Sequence, residues 1–103
     1  MAKHKLAYLP LAEADILGIV EFHAGQVSPA SAREIYHSIR EQIVRLQDFP
    51  LLGPLHPDPE LAALGYRKLV LTKTYVAVCR GIDDTLTIYR VANGKTDCPK
   101  LLK

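Results

Sequence analysis

Cysteine is scarce in this chain: 103 residues hold two, Cys79 and Cys98. Two cysteines build no disulfide framework, and neither has a C-x-x-C neighbour. Zinc-ribbon and thioredoxin chemistry therefore lack their spacing, and no metal site is expected. Cys79 lies in an apolar run and reads as a buried small hydrophobe. Cys98 lies in a polar tail and reads as a free thiol. No apolar stretch approaches the roughly 20 residues of a membrane helix. Near the start, Lys3 and Lys5 are followed by Glu13 and Asp15 with no long apolar segment between. That speaks against a signal peptide and for a cytoplasmic protein. Internal repeats and low-complexity tracts are missing. So are G-x-S-x-G, a phosphate-binding glycine loop and H-E-x-x-H. His4, His23, His37 and His56 are scattered without ligand spacing, and no two carboxylates stand out as an acid–base couple. His23 falls on an apolar helix stripe and reads as packed; His56 falls among prolines and reads as exposed. No cofactor is expected.

What is present suits one domain spanning residues 1–103. Hydrophobic residues make up 49% of the chain, which excludes wholesale disorder. The net charge is only +2, but it is unevenly placed. Residues 1–64 carry five Lys/Arg against eight Asp/Glu, −3; residues 65–103 carry eight against three, +5. A basic surface in the C-terminal part fits nucleic acid or an acidic partner, or simply a solvated sheet face.

Lys5-Leu6-Ala7-Tyr8-Leu9 reads as a strand closed by Pro10, which cannot donate to a ladder. Leu11 to Gly25 reads as a helix whose buried stripe is Ile16, Ile19, Val20 and His23. Glu13 and Asp15 suit its positive end. Gly18 inside it costs about 1 kcal/mol relative to Ala, which marks either close packing or a weak point. Ser28-Pro29 restarts the chain as a capped helix, with Ser31 and Glu34 as an alternative capping box. That helix runs to about Gln47 on a stripe of Ala32, Ile35, Ile39, Ile43 and Leu46, with Arg33, Arg40 and Glu41 facing away. The short link makes an antiparallel helical hairpin. Residues 48–65 hold four prolines and two glycines and read as a loop with one helical turn at Pro59–Leu64. Leu51, Leu52, Leu55 and Leu61 need something to pack on. Three strands follow: Tyr66–Leu71, Tyr75–Arg80 and Thr85–Val91, joined by turns at 72–74 and 81–84. A short tail runs from Lys95 to Lys103. The class is α+β, in the order β-α-α-β-β-β, with the helical hairpin packed on a four-stranded antiparallel sheet.

The chemistry-bearing residues gather on the strands. Arg67, Lys68, Arg80, Arg90 and Lys95 are cationic, and Tyr66, Tyr75 and Tyr89 lie among them. Strand parity sends Arg67 and Lys68 to opposite faces, one toward the core or helix edge and one to the open face. Such a surface can hold a nucleic-acid backbone or receive an acidic, apolar peptide. Each arginine also has a structural alternative, an ion pair with Asp83, Asp84, Asp97 or a helix carboxylate.

Several stretches, in this order and separation, resemble the RelE/ParE toxin superfamily of type II toxin–antitoxin systems, the plasmid stabilisation proteins. They are Ala14-Asp15-Ile16-x-x-Ile19; Pro29-x-x-Ala32; Ile43-x-x-Leu46-x-x-Phe49-Pro50-x-x-Gly53; Gly65-Tyr66-Arg67-Lys68-Leu69; Tyr75-Val76-Ala77-Val78-Cys79-Arg80; and Ile88-Tyr89-Arg90-Val91-Ala92-Asn93-Gly94-Lys95. The resemblance implies a growth-inhibiting toxin neutralised by a cognate antitoxin. ParE-like members poison DNA gyrase; RelE-like members cut messenger RNA on the ribosome. Cleaving members commonly place His after the Val91-Ala92 position and Arg after Lys95, where this chain has Asn93 and Thr96. Neither is a general base near neutral pH. The departure favours the ParE-like branch, with the RelE-like endoribonuclease and an inactive or orphan toxin-fold binding protein as alternatives. The implied antitoxin or target contacts are Arg67, Lys68, Arg80, Tyr89, Arg90 and Lys95, with Arg67 and Arg80 foremost. Apolar groups left exposed without the antitoxin also allow a homodimer.

Overall fold

The structure, a computed structural model, describes residues 4–95. Thr96, Asp97, Cys98 and the rest of the expected tail lie outside the described residues. Among the described residues the chain forms β1 (Lys5–Tyr8), α1 (Pro10–Gln26), α2 (Pro29–Val44), α3 (Pro59–Ala63), β2 (Tyr66–Val70), β3 (Tyr75–Ile82) and β4 (Thr85–Asn93). A single 3-10 turn, Arg45–Gln47, extends α2. The sheet order is β1-β4-β3-β2. β2, β3 and β4 form the expected antiparallel meander, but β1 pairs with β4 in parallel, Lys5 beside Thr85 and Tyr8 beside Ile88. The sheet is therefore mixed, not antiparallel throughout.

The reason lies in the direction of α1. The Leu9 amide donates to the Ile88 carbonyl at 3.0 Å, and Pro10 then ends the β1 ladder. From there α1 continues in the direction of β1 beside the rest of β4, and its far end reaches Tyr75, which pairs with Asn93. α2 returns, and the Gln47 carbonyl accepts the His4 amide at 3.0 Å. The chain thus re-enters the sheet from the end where β1 began, and the third meander strand points the same way as β1.

Asp15 carries the edge of β4 past the end of β1. Its Oδ2 accepts the Val91 amide at 3.0 Å, a bond that a longer β1 would have supplied. Arg90 Nε and Nη2 donate to Oδ2 and Oδ1 at 2.7 and 2.9 Å. A β-bulge makes this possible: Val78 pairs with Arg90 and Cys79 with Ile88, leaving Tyr89 as the extra residue. The bulge shifts the buried parity of β4 from Leu86 and Ile88 to Val91.

One core lies between sheet and helices. Leu69, Ala77, Cys79, Leu86, Ile88 and Val91 meet Ala12, Ile16, Ile39, Ile43 and Leu46. The stripe expected of α2 is the stripe that packs, with Ile35 partly buried against it. Ser28 is the cap, its Oγ accepting the Ser31 amide at 3.0 Å. Arg40 does not face away. It bridges to Glu13 of α1 at 3.0 and 3.3 Å and lies over the rings of Tyr8 and Tyr36. His23 lies between Ser31 Oγ at 3.0 Å and the Tyr75 hydroxyl at 3.2 Å, tying both helices to β3. A Cβ built on Gly18 would meet nothing within 4 Å, so that glycine is the weak point rather than a close contact.

The loop covers the outer edge of β2. The Lys68 amide donates to the Pro54 carbonyl, and the His56 amide to the Tyr66 carbonyl. Gly53 admits this approach, since a Cβ there would lie 3.1 Å from the Lys68 oxygen. Asp58 caps α3 through the Glu60 and Leu61 amides, and Gly65 leaves the helix at φ +86°. Leu61 packs with Val78 and Tyr66 on the sheet face away from α1 and α2. His56 is buried, contrary to expectation, and its Nδ1 accepts the Asp58 amide at 3.0 Å. Leu51 and Leu55 stay exposed instead.

Three outcomes follow for stability. Asp15→Ala leaves Arg90 and the Val91 amide without that carboxylate and lowers the unfolding free energy by about 2 kcal/mol in urea titration; an unchanged midpoint would contradict the account. Gly18→Ala raises it by about 0.5–1 kcal/mol, which thermal melting resolves. Desolvation, and then the Lys68 charge, hold the His56 pKa below its ordinary 6.5, with Asp58 opposing. The unfolded chain therefore binds the proton more readily, and stability falls as pH drops below 6.5. His56→Gln flattens that slope; an equal slope in both proteins refutes the assignment.

Candidate functional site

The strand residues singled out from the sequence occupy separate places. Arg67 pairs with Cys79, and Arg80 pairs with Tyr66, near one end of the sheet. Both arginines line a cavity of about 420 Å³ there. It opens where the Gly65 and Gly81 positions have no side chain to fill it. Arg67 Nη1 donates to the Gly53 carbonyl at 2.9 Å. The Arg80 guanidinium lies 5.4 Å from the centre of the Tyr66 ring, a cation–π contact. Tyr89 meets the same ring edge-on at 5.0 Å, so Arg80, Tyr66 and Tyr89 form one cluster. Lys68 stands on the strand parity opposite Arg67 and close enough to lower the His56 pKa.

Arg90 is engaged elsewhere: Asp15 holds it bidentately and raises its pKa above the ordinary value. The helix carboxylate among the structural alternatives is the partner it takes. Lys95 sits at the far end of the sheet with Lys73, Thr74 and Asn93. From Tyr75 to Arg80 along β3 is about 17 Å at 3.3 Å per residue. Lys95 thus belongs to a different surface from Arg67 and Arg80. The Asn93 side-chain oxygen accepts the Lys95 amide at 2.9 Å and closes the turn.

Around the cavity are residues that sequence reasoning left aside. His4 lines it, brought in by the pairing of β1 and the return of α2. Pro50, Leu51, Leu55 and Leu86 give it apolar walls, and Asp83 sits on its lining as well. Cys79 contributes to its floor; burial pushes that thiol up to about 11 against the Arg67 charge. Among the described residues no three His, Cys, Asp or Glu converge as a metal site would require.

A second surface lies on the helical hairpin. α1 is apolar nearly all round: Ala12 and Ile16 are buried, while Leu11, Leu17 and Phe22 are each 57–58% exposed. Between α1 and α2 runs a groove of about 340 Å³ lined by Ala14, Leu17, Val20 and Tyr36, ending at the Glu13–Arg40 pair. Burial alone would lower the Arg40 pKa, but Glu13 and the tyrosines hold it above its ordinary value. The Tyr36–Arg40 contact follows from the i, i+4 spacing on α2; the contact of Arg40 with Tyr8 needs the fold. Helices exposing apolar groups on the solvent side mark interaction surfaces. No helix among the described residues is long and apolar enough to cross a membrane.

The family profile described as ParE toxin of type II toxin–antitoxin system, parDE, matches residues 6–98. No curated protein matches the sequence. Among solved structures, the chromosomal ParDE toxin–antitoxin system of P. aeruginosa superposes with a TM-score of 0.74 at 23% identity, covering 88% of this chain and 96% of that one. The toxin–antitoxin complex RelBE2 of Mycobacterium tuberculosis gives 0.60 at 23% identity, covering 88% and 98%. The YoeB/ParE toxin of Agrobacterium tumefaciens gives 0.56 at 20% identity, covering 86% and 96%. At these identities the likenesses establish the fold.

Proposed function

The chain belongs to the ParE toxin family of type II toxin–antitoxin systems, and from that premise we propose that it acts by binding. Its target on this reading is DNA gyrase, and a cognate antitoxin holds it inactive. The observation that carries the reading is the state of the last strand. Asn93 stands where cleaving relatives commonly have His, and its amide builds a turn with Lys95. Tyr89 is held edge-on against Tyr66. The Asn93 amide is no general base near neutral pH. Arg67, Lys68 and Arg80 then serve as contacts. The P. aeruginosa and M. tuberculosis structures are of toxin–antitoxin systems. The apolar face of α1 and the groove beside it offer an antitoxin segment a place to dock.

A second reading rests on His4. It lines the same cavity as Arg67 and Arg80. Cleavage of RNA at its own 2′-hydroxyl needs a proton acceptor and cations for the charged phosphate. Induced expression separates the readings. The binding reading expects growth arrest, loss of gyrase supercoiling in a purified assay and intact message ends, with rescue by the product of the adjacent gene. Cleaved messages with normal supercoiling, abolished by His4→Ala, would establish the ribonuclease instead. Normal growth with neither effect would leave an inactive copy.

A further inference from the structure

We infer that residues 53–64 form an acid-sensitive cover over the outer edge of β2, one that opens when His56 takes up a proton while the rest of the fold stays closed. The inference concerns this segment alone and is independent of the target proposed above.

The cover wraps the edge of the sheet from one face to the other. On the helix side, Arg67 Nη1 donates to the Gly53 carbonyl at 2.9 Å. Along the edge, the Lys68 amide donates to the Pro54 carbonyl at 3.0 Å and the His56 amide to the Tyr66 carbonyl at 2.9 Å. On the far face, Leu61 of α3 rests on Val78 and Tyr66. These attachments are few and mostly polar. Leu61 is the one buried leucine of the segment; Leu55 and Leu64 are 50% and 56% exposed. β3 and β4, by contrast, put Ala77, Cys79, Leu86, Ile88 and Val91 into the main core. A segment with so little buried apolar surface opens at lower cost than the ladder it covers.

His56 couples that opening to protons. Its side chain is buried, at 6% exposure, and Nδ1 accepts the Asp58 amide at 3.0 Å. Nδ1 is therefore unprotonated, and the ring proton sits on Nε2, which has no partner among the described residues. A second proton has to go on Nδ1, where it meets the Asp58 N–H, donor against donor. The hydrogen bond is lost and a buried cation is made in one step. Desolvation opposes that cation most, and the Lys68 charge on β2 opposes it as well. Asp58 favours it, but its Oδ1 already accepts the Glu60 and Leu61 amides. The closed form thus resists the proton, while the open form takes it near the ordinary 6.5. Lowering the pH through that value favours opening. The His56 backbone amide is also one of the edge bonds, so an imidazole that moves out to water draws the cover off with it. Opening bares the Tyr66 carbonyl and the Lys68 amide, and it releases Arg67 from Gly53.

The test is native-state amide hydrogen exchange by NMR on the full chain, in low urea, at pH 7.5 and 5.5. Both values lie above the ordinary titration range of Asp and Glu. Rates are corrected for the pH dependence of intrinsic exchange. The His56, Leu61 and Lys68 amides are expected to be less protected than the β3–β4 ladder at both values. Their exchange should depend little on urea, as local opening exposes little surface. Their protection should fall several-fold from pH 7.5 to 5.5, about tenfold being the limit for one group of 6.5 over that range. His56→Gln keeps an acceptor for the Asp58 amide but does not titrate, and its cover amides should lose the pH response. Lys68→Gln removes the opposing charge and should shrink the response; it serves as the second arm if His56→Gln does not fold. Cover amides that share the protection and urea slope of the ladder would overturn the inference, because the opening would then be global. So would an undiminished pH response in either variant.

Discussion

The carboxylate of Asp15 is the contact on which the arrangement of the whole chain depends. Pro10 ends β1 after four residues, yet β4 runs on to Asn93 and its edge needs an acceptor. Asp15 supplies it from one and a half turns into α1. The same carboxylate takes the Arg90 fork, and both residues of the pair are about four-fifths buried in their side chains. At that burial the charges are poorly screened, so the pair has more weight than an exposed bridge such as Glu13–Arg40. Fixing α1 along β4 then sets where α2 returns. That return brings Gln47 to His4, and His4 to the cavity at the end of the sheet.

The cations of the sheet half divide by what surrounds them. Arg90 is internal wiring, Arg80 is laid over an aromatic ring, Arg67 bridges strand and loop, and Lys95 stands at the opposite end. Among the described residues the positive charge of the strand half is therefore not one continuous field. The helical half has the complementary character: α1 contains no lysine or arginine and exposes leucine and phenylalanine. A partner that touches both surfaces meets apolar helix on one and guanidinium beside leucine on the other.

How much was legible depended on range. The α2 stripe from Ala32 to Leu46 was readable because its residues repeat at helical spacing on the one face that meets α1 and the sheet. The Ser28 cap and the turn at Pro59 were readable because their partners lie within three residues. The Arg67–Lys68 split was readable from strand parity alone. The parallel pairing of β1, the bulge at Tyr89 and the burial of His56 were not. Each depends on a residue far away in sequence: β4 for the first, Asp15 for the second, and β2 for the third. Arg40 shows the limit within one helix. Its spacing from Tyr36 was visible, but Glu13 and Tyr8 turn it inward.

The sequence by itself determined the elements, their order and the family, because capping, proline placement and apolar period act over a few residues and leave a local imprint. It also determined that the strand half is basic. Only the tertiary structure decided which of those charges are available. Strand register and helix direction bring partners together across 14 to 76 positions, as for Arg67 with Gly53 and Val91 with Asp15. No local pattern encodes such a meeting, since an arginine that will be neutralised by a distant carboxylate looks in sequence like one that will face water.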